Sequence, residues 1–106
     1  MFEGKILRSV RSGNYSVKLV SWDRMTTDSG VEGLKLKLAI ETGETVRHKD
    51  ALLFGFAAEA ACEGLCDQWD RDFESLADLM DFFKLNKARV LYTKKESDTE
   101  YDQWSF

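Results

Sequence analysis

The segment from residue 34 to residue 41 restricts the fold of this chain more than any other. Its apolar residues occupy every second position: Leu34, Leu36, Leu38 and Ile40. This is the side-chain period of a β-strand, whereas a helix would scatter these residues around its circumference. We therefore predict a strand with one buried face and with Lys35 and Lys37 on the other face.

Two segments on either side of this strand have a similar period. After the turn signal Ser12-Gly13-Asn14, apolar Tyr15, Val17 and Leu19 alternate with other residues, and the strand leads through Trp22 into a polar loop ending at Gly30. Glycine in Glu41-Thr42-Gly43-Glu44 suits a hairpin loop. Residues 45–54 are then predicted to form a third strand, with Arg47 and Lys49 on the side away from the core.

The middle of the chain changes to helical patterns. Residues 57–63 are rich in alanine and favour a helix, which Gly64 would end or bend. Ser75 followed by Asp78 resembles a capping box. The residues that follow place Leu76, Leu79, Met80 and Phe83 on one helical face.

Strand periodicity returns near the end of the chain. Residues 89–93 and 100–106 form the fourth and fifth predicted strands. Three strands, a helical insertion and two strands is the order of the OB-fold. We predict a mainly β fold with a helical insertion, as a five-stranded OB-like barrel with the helix between strands 3 and 4. An open five-stranded sheet packed on the helices is the alternative. A length of 106 residues suits a single domain over 1–106.

Charge is unevenly distributed along the chain. The net charge is −4, but residues 57–83 alone carry −7 and the remainder carries +3. One interpretation is that the acids form the solvated face of a helix. The other is that they are kept away from a surface that binds an anion.

The expected location is the cytoplasm. The first residues lack the basic and apolar regions of a signal peptide. No apolar run approaches the roughly 18 residues that cross a bilayer, so no membrane contact is expected. Cys62 and Cys66 are one helical turn apart, where a disulfide has poor geometry, and this favours a reducing compartment.

Several segments resemble small phage-encoded single-stranded-DNA-binding proteins of OB-fold type. The resemblance covers roughly residues 12–106 and is carried by residues 13–20, the strand 33–40 after the loop containing Gly30, the helix before Lys87-Ala88-Arg89-Val90, and residues 100–104. It implies a non-enzymatic protein of DNA replication or recombination in the host cytoplasm. Strand residues and the loops between strands would contact the DNA.

Candidate DNA-binding residues follow from the requirement for cations beside phosphates and flat side chains beside bases. On the first three predicted strands and the adjoining loop, the residues out of phase with the core are Lys18, Trp22, Arg24, Lys35, Lys37, Arg47 and Lys49. We expect them to share one face. The alternative is a solvated strand face, on which lysine is common and discourages aggregation.

A protein-interaction module is the main alternative function. The acidic segment 57–83, with Trp69 and Phe73 among its carboxylates, would then contact a partner and could imitate nucleic acid. Trp104 and Phe106 near the end of the chain are a second candidate partner site, or else they complete the core. The sequence leaves open the oligomeric state, including a homo-oligomer, and the preference between DNA and RNA.

Catalytic and cofactor sites are not expected. His48 is the only histidine, and with Cys62 and Cys66 it supplies three ligands without the usual spacing of a zinc site. Gly30 and Gly33 lack the lysine and spacing of a phosphate-binding loop. A metal or redox protein that uses the two cysteines is retained only as a third possibility.

Overall fold

The computed structural model describes residues 9–97 and 100–106. Its elements are β1 (Gly13–Thr26), β2 (Glu32–Glu41), β3 (Val46–Phe54), α1 (Phe56–Trp69), α2 (Leu76–Leu85), β4 (Ala88–Thr93) and β5 (Gln103–Ser105). The mainly β fold with a helical insertion between strands 3 and 4 is confirmed.

All five strands form one antiparallel sheet in the order β3-β2-β1-β4-β5. β3 and β5 are therefore its two edges. A barrel would need backbone hydrogen bonds between them, and none is present over residues 9–97 and 100–106. The sheet is open, as in the alternative that the sequence left standing.

The core lies between one face of the sheet and the two helices. The alternating residues of β2 face it, and Leu36, Leu38 and Ile40 are at most 1% exposed. Helices α1 and α2 contribute Leu65 and Phe83, both fully buried. We call this side of the sheet the inner face and the opposite side the outer face.

Helix α1 continues through Gly64, so this glycine does not end the helix. A Cβ atom at Gly64 would lie 2.4 Å from the carbonyl oxygen of Phe106. The glycine therefore permits a close approach of the last residue to the helix. α1 ends instead at Asp70, whose φ of 49° is left-handed, a conformation that Asp adopts more readily than most residues.

Helix α2 begins where the sequence predicts. The Ser75 hydroxyl accepts a hydrogen bond from the Asp78 backbone N–H at 3.1 Å. This satisfies one of the amide groups that the first turn of a helix leaves unpaired.

The end of α1 is joined to the start of β4 by side-chain hydrogen bonds. The amide of Gln68 donates to the backbone carbonyl of Arg89 at 2.6 Å and accepts from its N–H at 2.7 Å. The indole of Trp69 donates to the carbonyl of Lys87 at 3.0 Å. The Gln68 amide thus pairs with the backbone of Arg89 as a neighbouring strand would, at a position of β4 that β5 does not reach.

Candidate nucleic-acid interface

A β-bulge in β1 changes which residues share a face. Leu19 pairs with Leu38, but Ser21, not Val20, pairs with Lys37. The extra residue shifts the alternation by one position. Trp22 therefore pairs with the buried Leu36 on the inner face.

The prediction that Trp22 and Arg24 share a face with the strand lysines is wrong for this reason. Trp22 is half-buried and packs against the core. Arg24 pairs with Leu34 and its guanidinium lies 5.8 Å from the centre of the Trp22 ring. Arg24 also lines a cavity of about 660 Å³ between the sheet and the helices.

Arg47 and Lys49 also lie on the inner face, so their predicted position is wrong. They pair with Ile40 and Leu38, which are fully buried. Val46 and His48, which alternate with Arg47 and Lys49 along β3, are exposed. Local alternation does not identify the buried face here, because polar residues occupy both faces of this part of β3.

Three of the seven candidates do lie together on the outer face. Lys18 pairs with Ala39, while Lys35 and Lys37 alternate along the neighbouring strand. Lys35 and Lys37 are exposed and Lys18 is half-buried. We call these three residues the lysine row.

Carboxylates reduce the positive charge around the lysine row. Asp23 pairs with Lys35 across β1 and β2, and Asp50 pairs with Lys37 across β2 and β3. The Lys35 ammonium lies 3.9 Å from an oxygen of Asp50, with both side chains about half exposed. Exposed pairs of this kind hold each other weakly, so the lysines are available to another anion.

An aromatic pair adjoins the lysine row at the edge of β3. Phe54 pairs with Gly33 and lies over it, since a Cβ atom there would be 2.4 Å from the ring. The ring of Tyr101 lies 6.0 Å from that of Phe54, and Tyr101 is 63% exposed. The sequence did not indicate this pair, because the two residues are distant in the chain. Gly33, a glycine within an alternating strand, was the one available signal.

The Lys49 side chain forms an ion pair that joins the two edges of the sheet. Its ammonium lies 3.2 Å from the Asp102 carboxylate, which also accepts from the Tyr92 hydroxyl at 3.0 Å and from the Lys95 N–H at 2.8 Å. We call this group the Asp102 latch. It connects β3 to the residues that precede β5 without any backbone bond between the strands.

The latch shifts the pKa values of two of its members. Burial alone would raise the pKa of Asp102, but hydrogen bonds from Lys95, Tyr92 and Lys49 outweigh it and lower the pKa below 3.8. Burial, followed by the hydrogen bond to Asp102 and its charge, raises the pKa of Tyr92 well above 10. The carboxylate is therefore charged and the phenol neutral at physiological pH.

The acidic segment is organised around an aromatic cluster. Trp69 lies 4.9 Å from Phe82 and 6.2 Å from Phe73, measured between ring centres. The guanidinium of Arg71, the segment's one base, covers Phe82 at 4.6 Å and Phe73 at 5.2 Å. Carboxylates of Asp72, Glu74, Asp78 and Asp81 line the adjacent groove.

The cysteines are free, half-buried thiols on α1. Burial, the neighbouring Cys66 and Glu63 raise the pKa of Cys62, and burial followed by Asp72 and Asp67 raises that of Cys66. Both thiols are thus disfavoured as thiolates, the form that binds metals and attacks electrophiles. Among the described residues, no three His, Cys, Asp or Glu side chains are grouped to hold a metal ion.

Trp104 and Phe106 pack inward in this fold. Trp104 is 7% exposed and its ring lies 4.5 Å from that of Tyr92. Phe106 is half-buried, 5.9 Å from Phe83. Both rings complete the core, and their use as a partner site would require them to leave it.

Comparisons with known proteins do not assign the chain to a family. No family model matches it, and no curated protein matches it at a significant level. Neither helix in the described part of the chain is long and apolar enough to cross a membrane.

Proposed function

We propose that this protein binds single-stranded DNA, without catalysis, through the outer face of β1 to β3. The observation that carries the proposal is the lysine row beside the Phe54–Tyr101 pair. Lysine ammonium groups neutralise phosphates, and an exposed ring offers a surface on which a base stacks. A role in the replication or recombination of a phage or mobile element would follow.

The same proposal includes an OB-like architecture. β1 pairs with β2 on one side and with β4 on the other, while the Asp102 latch draws the edge of β3 towards β5. In an OB-fold barrel, strands 2 and 3 and the adjoining loops carry the nucleic acid. The lysine row and Phe54 lie in the corresponding part of this sheet.

The proposed site is smaller than the one that the sequence suggested. Lys18, Lys35 and Lys37 remain, and Phe54 and Tyr101 replace Trp22 as the stacking surface. Arg47, Lys49 and Arg24 are left out because they lie on the inner face.

Fluorescence anisotropy with a labelled oligo-dT at low salt tests this site. Three phosphate contacts predict a log–log slope of affinity against salt of about −2. Reversing the charge of Lys35 and Lys37 together should weaken binding strongly, whereas Lys84→Glu, an exposed lysine on α2, is the matched control and should change it little. Tyr101→Ala should weaken binding roughly 5- to 150-fold if one base stacks there.

The outcome that contradicts the proposal is a lack of binding at tens of micromolar protein. Equal weakening by Lys84→Glu and by the Lys35/Lys37 variant would also contradict it, because charge alone would then explain the affinity. An oligo-U probe in the same assay determines the preference between DNA and RNA.

A second function is favoured by one observation on the acidic segment. Leu85 is 77% exposed at the end of the groove that Arg71 and the carboxylates line. An apolar residue beside carboxylates suits a basic partner protein. Titration with a deca-lysine peptide tests this: Asp70→Lys combined with Asp72→Lys should abolish peptide binding and leave oligo-dT binding equal or tighter. Peptide binding that survives the double reversal would exclude the segment.

A further inference from the structure

The cavity of about 660 Å³ between the sheet and the helices has no part in the proposed DNA interface. Its lining comes from the last residues of β1, the first residues of β2, helix α1 and the start of α2. Its volume lies within the range of about 300–1,000 Å³ that is usual for small-molecule sites. We call it the inner cavity.

Apolar side chains form one part of the lining. Leu34 is buried on β2, Ala58 and Cys62 are one turn apart on α1, and Leu76 is the first residue of α2. Ala58 and Cys62 have small side chains, so α1 leaves open the space that larger residues at these positions would fill. The cavity therefore offers an apolar surface to a ligand.

Charged side chains of both signs line the same cavity. The guanidinium of Arg24 lies 5.8 Å from the centre of the Trp22 ring. Glu59 and Glu63 are one turn apart on α1, and Glu32 belongs to β2. Among the described residues, no carboxylate is within ion-pair distance of Arg24, and no cation is within that distance of the three glutamates. The opposite charges therefore line one space without neutralising each other.

Residues 1–8 are too short a segment to reach the inner cavity. The ammonium of Lys94 donates to the Ser9 hydroxyl at 2.9 Å, which places Ser9 beside the end of β4. From there β1 runs from Gly13 to Arg24, and these eleven residue steps of strand cover about 35 Å. Eight fully extended residues span at most about 29 Å.

Residues 98 and 99 do not reach it either. The backbone N–H of Glu100 donates to the carbonyl of Ser97 at 3.3 Å, and neither of these residues lines the cavity. Two residues between such closely joined ends cannot extend into it. An occupant of the inner cavity therefore comes from outside residues 1–106.

From these observations we infer that the inner cavity binds a short apolar peptide with free termini, of about dipeptide size. The carboxylate of the peptide pairs with Arg24, because a planar guanidinium matches a carboxylate. The ammonium of the peptide pairs with Glu59 and Glu63, and its side chains lie against the apolar lining. A ligand with one kind of charge would leave either the guanidinium or the glutamates unpaired. The inference does not depend on DNA binding.

Isothermal titration calorimetry of the full chain with leucyl-leucine, leucyl-phenylalanine and leucyl-methionine tests the inference. At ordinary ligand efficiency, a ligand of this size binds with a Kd of about 0.2 mM. N-acetylation removes the ammonium of the peptide, and C-amidation removes its carboxylate. Each change should weaken binding of the tightest dipeptide by about tenfold.

Two variants assign each terminus of the peptide to its partner. Arg24→Gln should weaken binding of the free dipeptide about tenfold and should not change binding of the C-amidated form, which has no carboxylate. Glu59→Gln combined with Glu63→Gln should weaken binding of the free dipeptide and should not change binding of the N-acetylated form. A general loss of structure would weaken all forms equally, so this pattern is specific to the proposed contacts.

Matched controls change the same residue types outside the cavity. Arg89→Gln removes an exposed arginine of β4, and Glu74→Gln combined with Glu96→Gln removes two exposed glutamates. Neither control should change dipeptide binding. The Lys35/Lys37 charge reversal should also leave it unchanged, which separates this inference from the DNA-binding proposal.

Several results would overturn the inference. One is that none of the three dipeptides binds at millimolar concentrations. Equal affinities of the free and the blocked dipeptides would show that the charges do not select the ligand. Equal weakening by Arg24→Gln and by Arg89→Gln would place the binding site elsewhere. Self-association of the protein that Arg24→Gln abolishes would assign the cavity to a second copy of the chain.

Discussion

The strands and the helical segment of this protein both bury apolar side chains, but they use different residue types to do so. The strands bury mainly aliphatic side chains at alternate positions, apart from the β1 bulge, and leave lysines on the outer face beside a few carboxylates. The helical segment buries Phe83, packs the half-buried rings of Trp69 and Phe82 against it, and surrounds them with carboxylates. Both regions need apolar side chains where they are buried. The sign of the charge on their exposed surfaces does not follow from that requirement and differs between the two regions.

The two regions also differ in how they are held in place. Strands β1 to β4 are joined by backbone ladders, of which the one between β1 and β2 is interrupted at the bulge. The helices are attached by apolar contacts and by the hydrogen bonds of Gln68 and Trp69. Loss of a single ring should therefore have a large effect in the helical segment, and loss of a surface ion pair on the sheet a small one.

The largest effect is expected from Phe83→Ala. Phe83 is fully buried and its ring contacts those of Trp69 and Phe106 at 5.6 and 5.9 Å. The cavity left behind should lower the free energy of unfolding by about 3–5 kcal/mol, measured by urea denaturation. Phe56→Ala is the matched control because Phe56 is 89% exposed. Similar losses in both variants would show that the aromatic cluster does not hold the helices.

A smaller loss is expected when the Asp102 latch is broken. Asp102→Asn replaces an accepting oxygen with an amide that donates, and places it against the donors of Lys49, Tyr92 and Lys95. The expected loss in the free energy of unfolding is about 1.5–3 kcal/mol. Asp23→Asn, an exposed carboxylate on the outer face, is the control. A change no larger than that of the control would mean that the latch does not join the edges.

The contribution of the latch should depend on pH in a defined direction. The pKa of Asp102 in the folded protein lies below its ordinary value of 3.8. Stability from its charged form is therefore fully present above that value and is lost as the pH falls through the lowered pKa. The difference in unfolding free energy between the wild type and Asp102→Asn should shrink on titration from about pH 6 to about pH 2. A difference that grows on acidification would contradict this sign.

The helix cap should have an intermediate effect confined to the helical segment. Ser75→Ala removes the acceptor for the Asp78 N–H and should cost about 1 kcal/mol of unfolding free energy. Ser75→Asp, which retains an acceptor, should restore most of it. Ser105→Ala, on β5, serves as the control and should be close to neutral. Equal changes in unfolding free energy for Ser75→Ala and Ser105→Ala would show that the cap does not stabilise α2.

The smallest effect is expected on the sheet surface. Asp50→Asn disrupts the 3.9 Å pair with Lys35, in which both side chains are about half exposed. We expect a change of about 0–1 kcal/mol in unfolding free energy, and tighter oligo-dT binding because the lysine row loses a competing anion. Unchanged or weaker DNA binding would show that Asp50 does not compete for these lysines.

Much of this architecture can be read from the sequence because it depends on local patterns. The alternation from Leu34 to Ile40, the Ser75 cap and the apolar face of α2 each involve residues a few positions apart, so period and propensity suffice. The order of strands and helices follows from the same patterns. These features are found in the structure, although α1 extends over Phe56–Trp69 rather than residues 57–63 and the fifth strand is confined to Gln103–Ser105 rather than residues 100–106.

The candidate site was only partly predictable, because it depends on pairing between distant segments. One extra residue at the β1 bulge turns Trp22 and Arg24 to the inner face, and the pairing of β3 with β2 does the same to Arg47 and Lys49. Register is set by which strand lies alongside, and a shift of one residue exchanges the two faces. Contacts such as Phe54 with Tyr101 and Lys49 with Asp102 join segments that are distant in the chain and exist only in the folded structure. The sequence alone determined the elements, and tertiary pairing decided which of their side chains meet.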